Sequence, residues 1–319
     1  MAVTQEMGGN LKYLFFLPLF VTALAASPST YFVTVAGLGG TPEYEAQFTK
    51  WNTELDGLLR GNGPGAVVET LSGASATKQG MRQLLAKLAN EVHPDDAFAL
   101  LLIGHGTFDG RDYKFNLPGP DVTAGELAAM LNRIPAAEQL VVNMTSASGA
   151  SLAALARKNR IVITATKSGN EKNATVFARY WIDALRDPAA DTDKNGTVSA
   201  LEAFRYAETK TAAYFQMEKL LATEHPMLSD TGKTAGVPDP DPEKGQGSLA
   251  AMFPVLRPES ETAQVASPAK GQLLLRKQQL EAKIDRLKYQ KAAMPEDAYK
   301  RQLTALLLDL ARTQAEIDK

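Results

Sequence analysis

The 319-residue sequence contains no cysteine. This excludes disulfide bonds, thiolate metal sites, cysteine nucleophiles and lipid anchoring through a cysteine. Neither sign of charge predominates, because the net charge is −2 and the isoelectric point lies near 6.0. No global attraction to nucleic acid or to anionic lipid is expected at this charge, so we predict no nucleic-acid partner.

Long apolar runs are scarce, and the N-terminal one is short for a membrane span. Lys12 precedes an apolar run from Tyr13 to Leu24, which Pro18 interrupts and a small-residue site at Ala23 to Ala25 ends. A spanning helix needs roughly 20 apolar residues. We interpret residues 1–26 as a cleavable secretory signal, which predicts a periplasmic or secreted protein. Retention of this segment as an N-terminal membrane tether stays open, and only then is a membrane partner expected.

Strand and helix patterns alternate from about residue 30 onward. Runs of β-branched and apolar residues predict strands at 31–35, 66–71, 98–103, 139–144 and 161–166, with helical spacing between most of them. Parallel strands need crossover connections, so this order predicts an α/β domain with a mostly parallel sheet and helices on both faces. We assign residues 27–230 to this domain.

The composition changes after Met227 to glycine, proline and charged residues, which predicts a linker over 231–268. Apolar residues return at helical spacing in 269–319, and Pro295 divides them into two stretches. A proline ends one helix and begins the next well, so we predict a coiled-coil hairpin of two antiparallel α-helices. This hairpin is either a packing appendage or an element that binds a partner or self-associates.

An acidic segment between two helical patterns has the spacing of an EF-hand calcium loop. Loop positions 1, 3, 5, 9 and 12 carry side-chain oxygens, position 7 offers a backbone carbonyl, and position 6 is the glycine at which the chain turns. In that order the ligand candidates are Asp191, Asp193, Asn195, Ser199 and Glu202, with Thr197 at position 7 and Gly196 at position 6. We predict Ca²⁺ as the cofactor, in a structural or weak site rather than a sensor. The alternative is an acidic turn that caps the second helix, because Ser199 and Glu202 also form a capping box.

Two loops after predicted strands carry chemistry. His105 stands in a Gly-His-Gly turn at the end of a buried strand, where an imidazole is accessible and the backbone can approach a ligand. The strand at 139–144 leads into a second loop with Ser146, followed by Ser148-Gly149. Strand ends in a sheet of this kind gather at one edge, so we expect the two loops to be neighbours.

In these loops, and more moderately over residues 31–227, the chain resembles the caspase and legumain clan of cysteine peptidases. In that clan one strand ends in His-Gly and a later strand ends just before the nucleophilic cysteine. The resemblance implies a caspase-like fold, with His105 as general base and the backbone N–H of Gly106 directed at an oxyanion. Ser146 stands where the family has its cysteine, and Met144 where legumains carry an acidic residue of their asparagine pocket, so asparagine specificity is not carried over.

Two functions of different class stay open. A serine nucleophile needs a base within hydrogen-bond reach and usually a third group that orients the base. Asp109 and Asp112 are the available candidates for that group. The first interpretation is a non-catalytic pseudo-peptidase that acts as a calcium-binding scaffold or as a binding module for a peptide or protein. The second is an active peptidase or esterase that uses Ser146 and His105. Ser146, Ser148 and Ser151 can also be no more than a hydroxyl-rich turn that caps a helix.

Overall fold

A computed structural model describes residues 28–63, 65–257, 268–291 and 294–318 of the protein. The predicted secretory signal over 1–26 lies outside the described residues. Among the helices within these ranges, none is long and apolar enough to cross a membrane.

Eleven strands and nine helices are assigned within the described ranges. The strands are β1 (Thr30–Ala36), β2 (Ala66–Leu71), β3 (Ala97–Ile103), β4 (Gly106–Phe108), β5 (Tyr113–Phe115), β6 (Val122–Thr123), β7 (Glu138–Asn143), β8 (Arg160–Thr164), β9 (Val198–Ser199), β10 (Met227–Ser229) and β11 (Pro254–Leu256). The helices are α1 (Pro42–Arg60), α2 (Lys78–Glu91), α3 (Ala124–Leu131), α4 (Leu152–Leu155), α5 (Phe177–Ala184), α6 (Ala200–Met217), α7 (Ser248–Met252), α8 (Pro268–Gln290) and α9 (Glu296–Ile317).

The central sheet has six strands in the order β10-β8-β7-β3-β1-β2. Every pairing in it is parallel except that of the edge strand β10 with β8. The predicted α/β domain with a mostly parallel sheet is therefore confirmed. Because β1 is followed by β2 on one side and the chain then returns to β3 on the other, the strand order reverses beside β1. Ligands of open α/β sheets bind at such a point, beyond the carboxyl ends of the strands.

Both faces of the sheet are covered, and this explains the continuous apolar run of β3. Leu101 and Ile103 belong to the core on the face that α1, α5 and α6 cover. Leu100 and Leu102 point to the opposite core, beneath α2, α3 and α4. Alternate residues of a strand point to opposite faces, so a strand buried on both sides must be apolar at every position.

A second, three-stranded antiparallel sheet, β4-β5-β6, follows directly after the central strand β3. Its strands hold only two or three residues each, too few for an alternating pattern to be recognised, and the sequence did not predict it. This small sheet carries Tyr113, whose fully buried side chain reaches the loop after β7.

The linker prediction for 231–268 needs correction over residues 231–257, because this segment packs into the core. Asp230 accepts hydrogen bonds from the backbone N–H groups of Gly247 (2.9 Å), Leu249 (2.9 Å) and Ala250 (3.2 Å), and so holds the start of α7. Phe253 is fully buried, and β11 pairs with β9 in an antiparallel bridge. Short elements with glycine and proline between them show no hydrophobic period, which is why the composition alone indicated a linker. Residues 258–267 lie outside the described part.

The two predicted C-terminal helices are present as α8 and α9, which pack against each other. Leu280, Ile284 and Leu287 of α8 are buried, at the spacing of one helix face. Helix α8 also contacts α7, and Arg286 lies 3.6 Å from Glu138 at the start of β7. The hairpin is thus docked on the α/β domain.

Candidate functional site

Close backbone packing joins the loops at the carboxyl edge of the sheet. The N–H of Gly37, just after β1, donates to the carbonyl of Ile103 at the end of β3 (2.8 Å). A Cβ atom on Gly106 would lie 2.4 Å from the carbonyl oxygen of Ser146 and 2.5 Å from the ring of Tyr113. Only glycine fits there, so the Gly-His-Gly turn is required for the loops after β3 and β7 to meet. As expected, His105 and Ser146 belong to neighbouring loops.

The imidazole of His105 is half-buried against α1. Its ring packs edge-on against Tyr44 and Phe48, with centroid distances of 4.8 Å and 5.0 Å. Burial lowers the pKa of His105 below its ordinary value, and a hydrogen bond with the backbone of Gly39 acts in the opposite direction. Lowering favours the neutral imidazole, which is the form a general base requires.

Neither acidic candidate for orienting His105 reaches it. Asp109 and Asp112 lie in the turn between β4 and β5, where the Asp109 carboxylate accepts from the backbone N–H of Asp112 (2.8 Å) and pairs with Lys114 (2.9 Å). These bonds lower the pKa of Asp109 far below its usual range. Among the described residues, the only hydrogen-bond partner that the structure gives the imidazole is the backbone of Gly39.

Ser146 is only 2% exposed, and its Oγ accepts a hydrogen bond from the N–H of Gly106 at 3.2 Å. The backbone donor that the resemblance assigns to an oxyanion is therefore bonded to the serine hydroxyl. Within the described part of the chain, no hydrogen bond joins His105 to Ser146. The structure brings the three predicted catalytic groups to one edge of the sheet without linking the base to the nucleophile.

Beside Ser146, a buried network of hydroxyl and amide groups stabilises the loop after β7. The hydroxyl of Tyr113 lies 2.6 Å from Thr145 Oγ1 and donates to Asn143 Oδ1 at 3.2 Å. On the other side of Asn143, its amide nitrogen donates to Ser151 Oγ (3.0 Å), which donates to the carbonyl of Ser148 (2.7 Å). The hydroxyl-rich turn is therefore present, but the expected helix cap is not, because the side chain of Ser151 at the start of α4 makes no capping hydrogen bond and donates to Ser148 instead.

Replacement of Tyr113 by phenylalanine is expected to lower the free energy of unfolding by about 1–2 kcal/mol, because Asn143 and Thr145 lose a buried partner. Burial raises the pKa of Tyr113 to about 12, so this phenol stays protonated at all pH values used for folding studies. Urea unfolding at pH 7 measures the loss. Tyr299, which is partly buried beside Lys291 in the hairpin, supplies a Tyr→Phe control with a smaller expected loss.

The predicted calcium loop brings its acidic ligands together. One carboxylate oxygen from each of Asp191, Asp193 and Glu202 can be chosen so that all three lie within 4.8 Å of one another. The chain turns with positive φ at Lys194 (57°) and Gly196 (77°), which places these side chains on one side. Oxygen atoms alone and three negative charges are the donor set that a hard cation such as Ca²⁺ prefers, so the residues fit the ion.

Hydrogen bonds hold the rest of the loop. Ser199 and Glu202 form the capping box of α6, and the second Glu202 oxygen accepts from the N–H of Thr192 (2.8 Å). Asn195 Oδ1 accepts from the N–H of Thr197 (2.8 Å). The capping box and the cluster of acidic side chains therefore occur in the same loop, and Glu202 belongs to both. Partial burial and the charge of Glu202 raise the pKa of Asp193.

No protein-family model matches the chain, and no curated protein matches it. The solved structures that are similar to it include the following two. The protein GSU0716 from Geobacter sulfurreducens is 12% identical, with 69% of this chain and 97% of that chain covered at a TM-score of 0.42. The Drosophila initiator caspase Dronc is 10% identical, with 66% and 81% covered at a TM-score of 0.42. The function of the chain has to be argued from its own residues.

The Ser146 loop and the start of α5 are supported by three residues that the sequence does not single out, namely Glu171, Glu224 and His225. Ala147 has a left-handed backbone (φ 54°), and its N–H donates to the carbonyl of Glu171 at 2.7 Å. The Glu171 carboxylate pairs with His225 Nδ1, and the neighbouring Glu224 accepts from the N–H groups of Val176 and Phe177, each at 2.8 Å. The residues that the Glu171 and Glu224 carboxylates bind lie 47 to 54 positions away in the sequence, and no local pattern predicts such pairings.

Glu224 is 4% exposed and holds the start of α5. Burial raises its pKa to about 7, with the charge of Glu171 in the same direction, while the two backbone N–H groups lower it. A buried carboxyl group whose pKa lies near neutrality therefore caps the start of α5.

A surface cavity of about 490 Å³ opens between the end of β2 and the start of α2. Leu71, Thr77 and Lys87 are among its lining residues. It lies at the β2 edge of the sheet, with β1 and β3 between it and β7, and none of its lining residues belongs to the loops of His105 and Ser146.

Proposed function

We propose that the protein is an exported, calcium-binding relative of the caspase and legumain clan that lacks peptidase activity and acts as a binding or scaffold module for a peptide or protein. The observation that carries the proposal is the convergence of the Asp191, Asp193 and Glu202 carboxylates in a loop of EF-hand spacing. Three like charges this close repel one another, and a divalent cation removes that cost.

The calcium site is proposed as structural. Glu202 belongs to the first turn of α6, and β9 within the loop pairs with β11 of the segment that follows α7. An ion bound by the loop would fix α6 relative to this strand pairing. It would stabilise the folded state and not the unfolded chain. The direct test is calorimetric titration with Ca²⁺ after chelator treatment, with one site per chain expected. Absence of binding heat and of any thermal shift with Ca²⁺ would remove the proposal.

The surroundings of Ser146 support the proposed absence of catalysis. A serine hydroxyl becomes a nucleophile when a base within about 2.6–3.2 Å takes its proton. Here the Oγ accepts from Gly106, and the imidazole of His105 is held by Tyr44, Phe48 and the backbone of Gly39. An accepted N–H bond stabilises the hydroxyl oxygen but does not remove its proton.

The second candidate, an active hydrolase, has one observation in its favour. The N–H of Gly106 and the Oγ of Ser146 adjoin, as an oxyanion donor and a nucleophile would. Catalytic hydrogen bonds are often long in ligand-free proteins and tighten with substrate, so a rotation of His105 towards Ser146 would complete the pair.

Labelling with a fluorophosphonate probe separates the two candidates. We expect no covalent labelling of the folded wild-type protein, with or without Ca²⁺, and the same result for the Ser146→Ala and His105→Ala variants. Labelling of the wild type that both substitutions abolish would instead establish an activated serine. A serine hydrolase labelled in the same tube shows that the probe is reactive.

A further inference from the structure

Helix α8 of the C-terminal hairpin reaches the calcium loop. The amide nitrogen of Asn195, at loop position 5, donates to Asp285 Oδ2 at 3.3 Å and to Asp193 Oδ2 at 3.0 Å. The other oxygen of Asp285 accepts from Lys288 one turn further along α8, at 2.7 Å. Residues 90 positions apart in the sequence thus meet at the proposed ligand set.

The position of Asp285 is determined by contacts on either side of it in the helix. The preceding Ile284 is 7% exposed, and Leu287 two positions later is 4% exposed. Arg286 lies 3.6 Å from Glu138 of the α/β domain. With α8 held in this way, the carboxylate of Asp285 faces Asn195, and its side chain keeps 27% of its accessible surface.

We propose that Asp285 is a positioning residue of the calcium site and that it couples occupation of the loop to docking of the C-terminal hairpin. This inference rests on the proposed calcium function. An asparagine amide presents one oxygen acceptor and one nitrogen donor, so a carboxylate that binds the nitrogen fixes which end is left for the ion. Partners that orient a metal ligand in this way change metal affinity by about 10–100-fold when they are removed.

Charge gives the coupling its sign. The negative charge of Asp285 acts on Asp193, so in the calcium-free loop the two carboxylates repel each other, although Lys288 and Arg257 neutralise part of the charge of Asp285. A bound divalent cation changes that repulsion into attraction. Because coupling between two equilibria is reciprocal, calcium strengthens hairpin docking by the same factor by which docking strengthens calcium binding. The hairpin is then an element whose attachment depends on calcium.

The affinity half of the proposal is tested by calorimetric Ca²⁺ titration of Asp285→Ala in the full chain. We expect a dissociation constant about 10-fold higher than that of the wild type. Asp285→Asn, which retains an acceptor for Asn195, is expected to recover part of this loss. Asp309→Ala is the matched control, because Asp309 lies on α9 and its carboxylate is paired there with Arg312. It is expected to bind Ca²⁺ as the wild type does.

The docking half is tested by a spin-label distance measurement, which the cysteine-free sequence makes clean. Labels on Thr49→Cys in α1 and Thr304→Cys in α9 report the position of the hairpin on the domain. We expect Ca²⁺ to narrow the distance distribution in the wild-type background and to leave it unchanged with Asp285→Ala. If Asp285 had only a structural role, Asp285→Ala would alter the distance distribution, and Ca²⁺ would leave the distribution of the wild-type background unchanged.

The outcomes separate the two levels of proposal. Tight Ca²⁺ binding that Asp285→Ala does not weaken, together with distances that ignore Ca²⁺, would overturn the coupling and leave the calcium function intact. Failure of the wild type to bind Ca²⁺ at all would overturn both.

Discussion

Replacement of Glu202 by glutamine is expected to weaken Ca²⁺ binding by at least about 100-fold, or ~2.7 kcal/mol, the largest effect on binding that a single substitution in the loop should produce. Position 12 of such a loop supplies a bidentate carboxylate, and an amide cannot present two anionic oxygens. In the structure one Glu202 oxygen faces Ser199 and the other faces Thr192, so both are directed into the loop. Calorimetric titration measures the change.

The same variant separates the ion from the helix cap. Glutamine is accepted at this position of a capping box, so α6 keeps its cap and the calcium-free variant should lose about 1–2 kcal/mol through the two bonds that Thr192 donates to Glu202. At a Ca²⁺ concentration of about 100 times the wild-type dissociation constant, the wild type gains roughly 2.7 kcal/mol and the variant gains no more than about 0.4 kcal/mol. Glu218→Gln, at the exposed end of α6, is the control and should keep the full gain. An equal gain in both variants would contradict the assignment of Glu202 as a ligand.

The parts of the fold that the sequence predicts are those with a strong period or a continuous apolar run. Strand β2 was predicted at 66–71 and observed at Ala66–Leu71, and β3 begins one residue before its predicted start. Strand β3 is buried between two layers of helices, so nearly every position in it carries a signal, whereas the edge strand β2 is recognised from its β-branched residues although only Val68 in it is buried.

The calcium loop could be located from the sequence because all its candidate ligands fall within twelve consecutive positions. The arrangement around Ser146 could not, because it depends on long-range pairs. Glu171 approaches His225 across 54 residues, and Gly106 approaches Ser146 across 40. Asp109 and Asp112 were the nearest acidic residues in sequence to His105, but the short β4–β5 turn directs them to Lys114 and to backbone N–H groups. Spacing along a chain predicts a site only when the ligands share one local element.

Glu224 gives the second large expected effect, a loss of stability as the pH rises towards neutrality. In an unfolded chain a glutamate titrates near 4.3, whereas burial raises the pKa of Glu224 to about 7 in the folded protein. Between these values the folded protein holds a proton that the unfolded chain has released. The stabilisation that this proton provides is complete below about pH 4.3 and is lost as the pH rises through about 7.

The difference in free energy of unfolding between the wild type and Glu224→Gln should therefore fall by roughly 3 kcal/mol between pH 4 and pH 8, in favour of the variant. Glutamine resembles the protonated acid and offers an oxygen to the N–H of Phe177, so the two proteins should be similarly stable at the acidic end.

Urea unfolding in chelator, at closely spaced pH values, measures this slope without a contribution from calcium. Glu316→Gln, at an exposed position of α9, should parallel the wild type throughout. Parallel profiles for Glu224→Gln would mean that the buried carboxyl is charged across this range, stabilised by the two N–H groups at the start of α5 more strongly than burial penalises it.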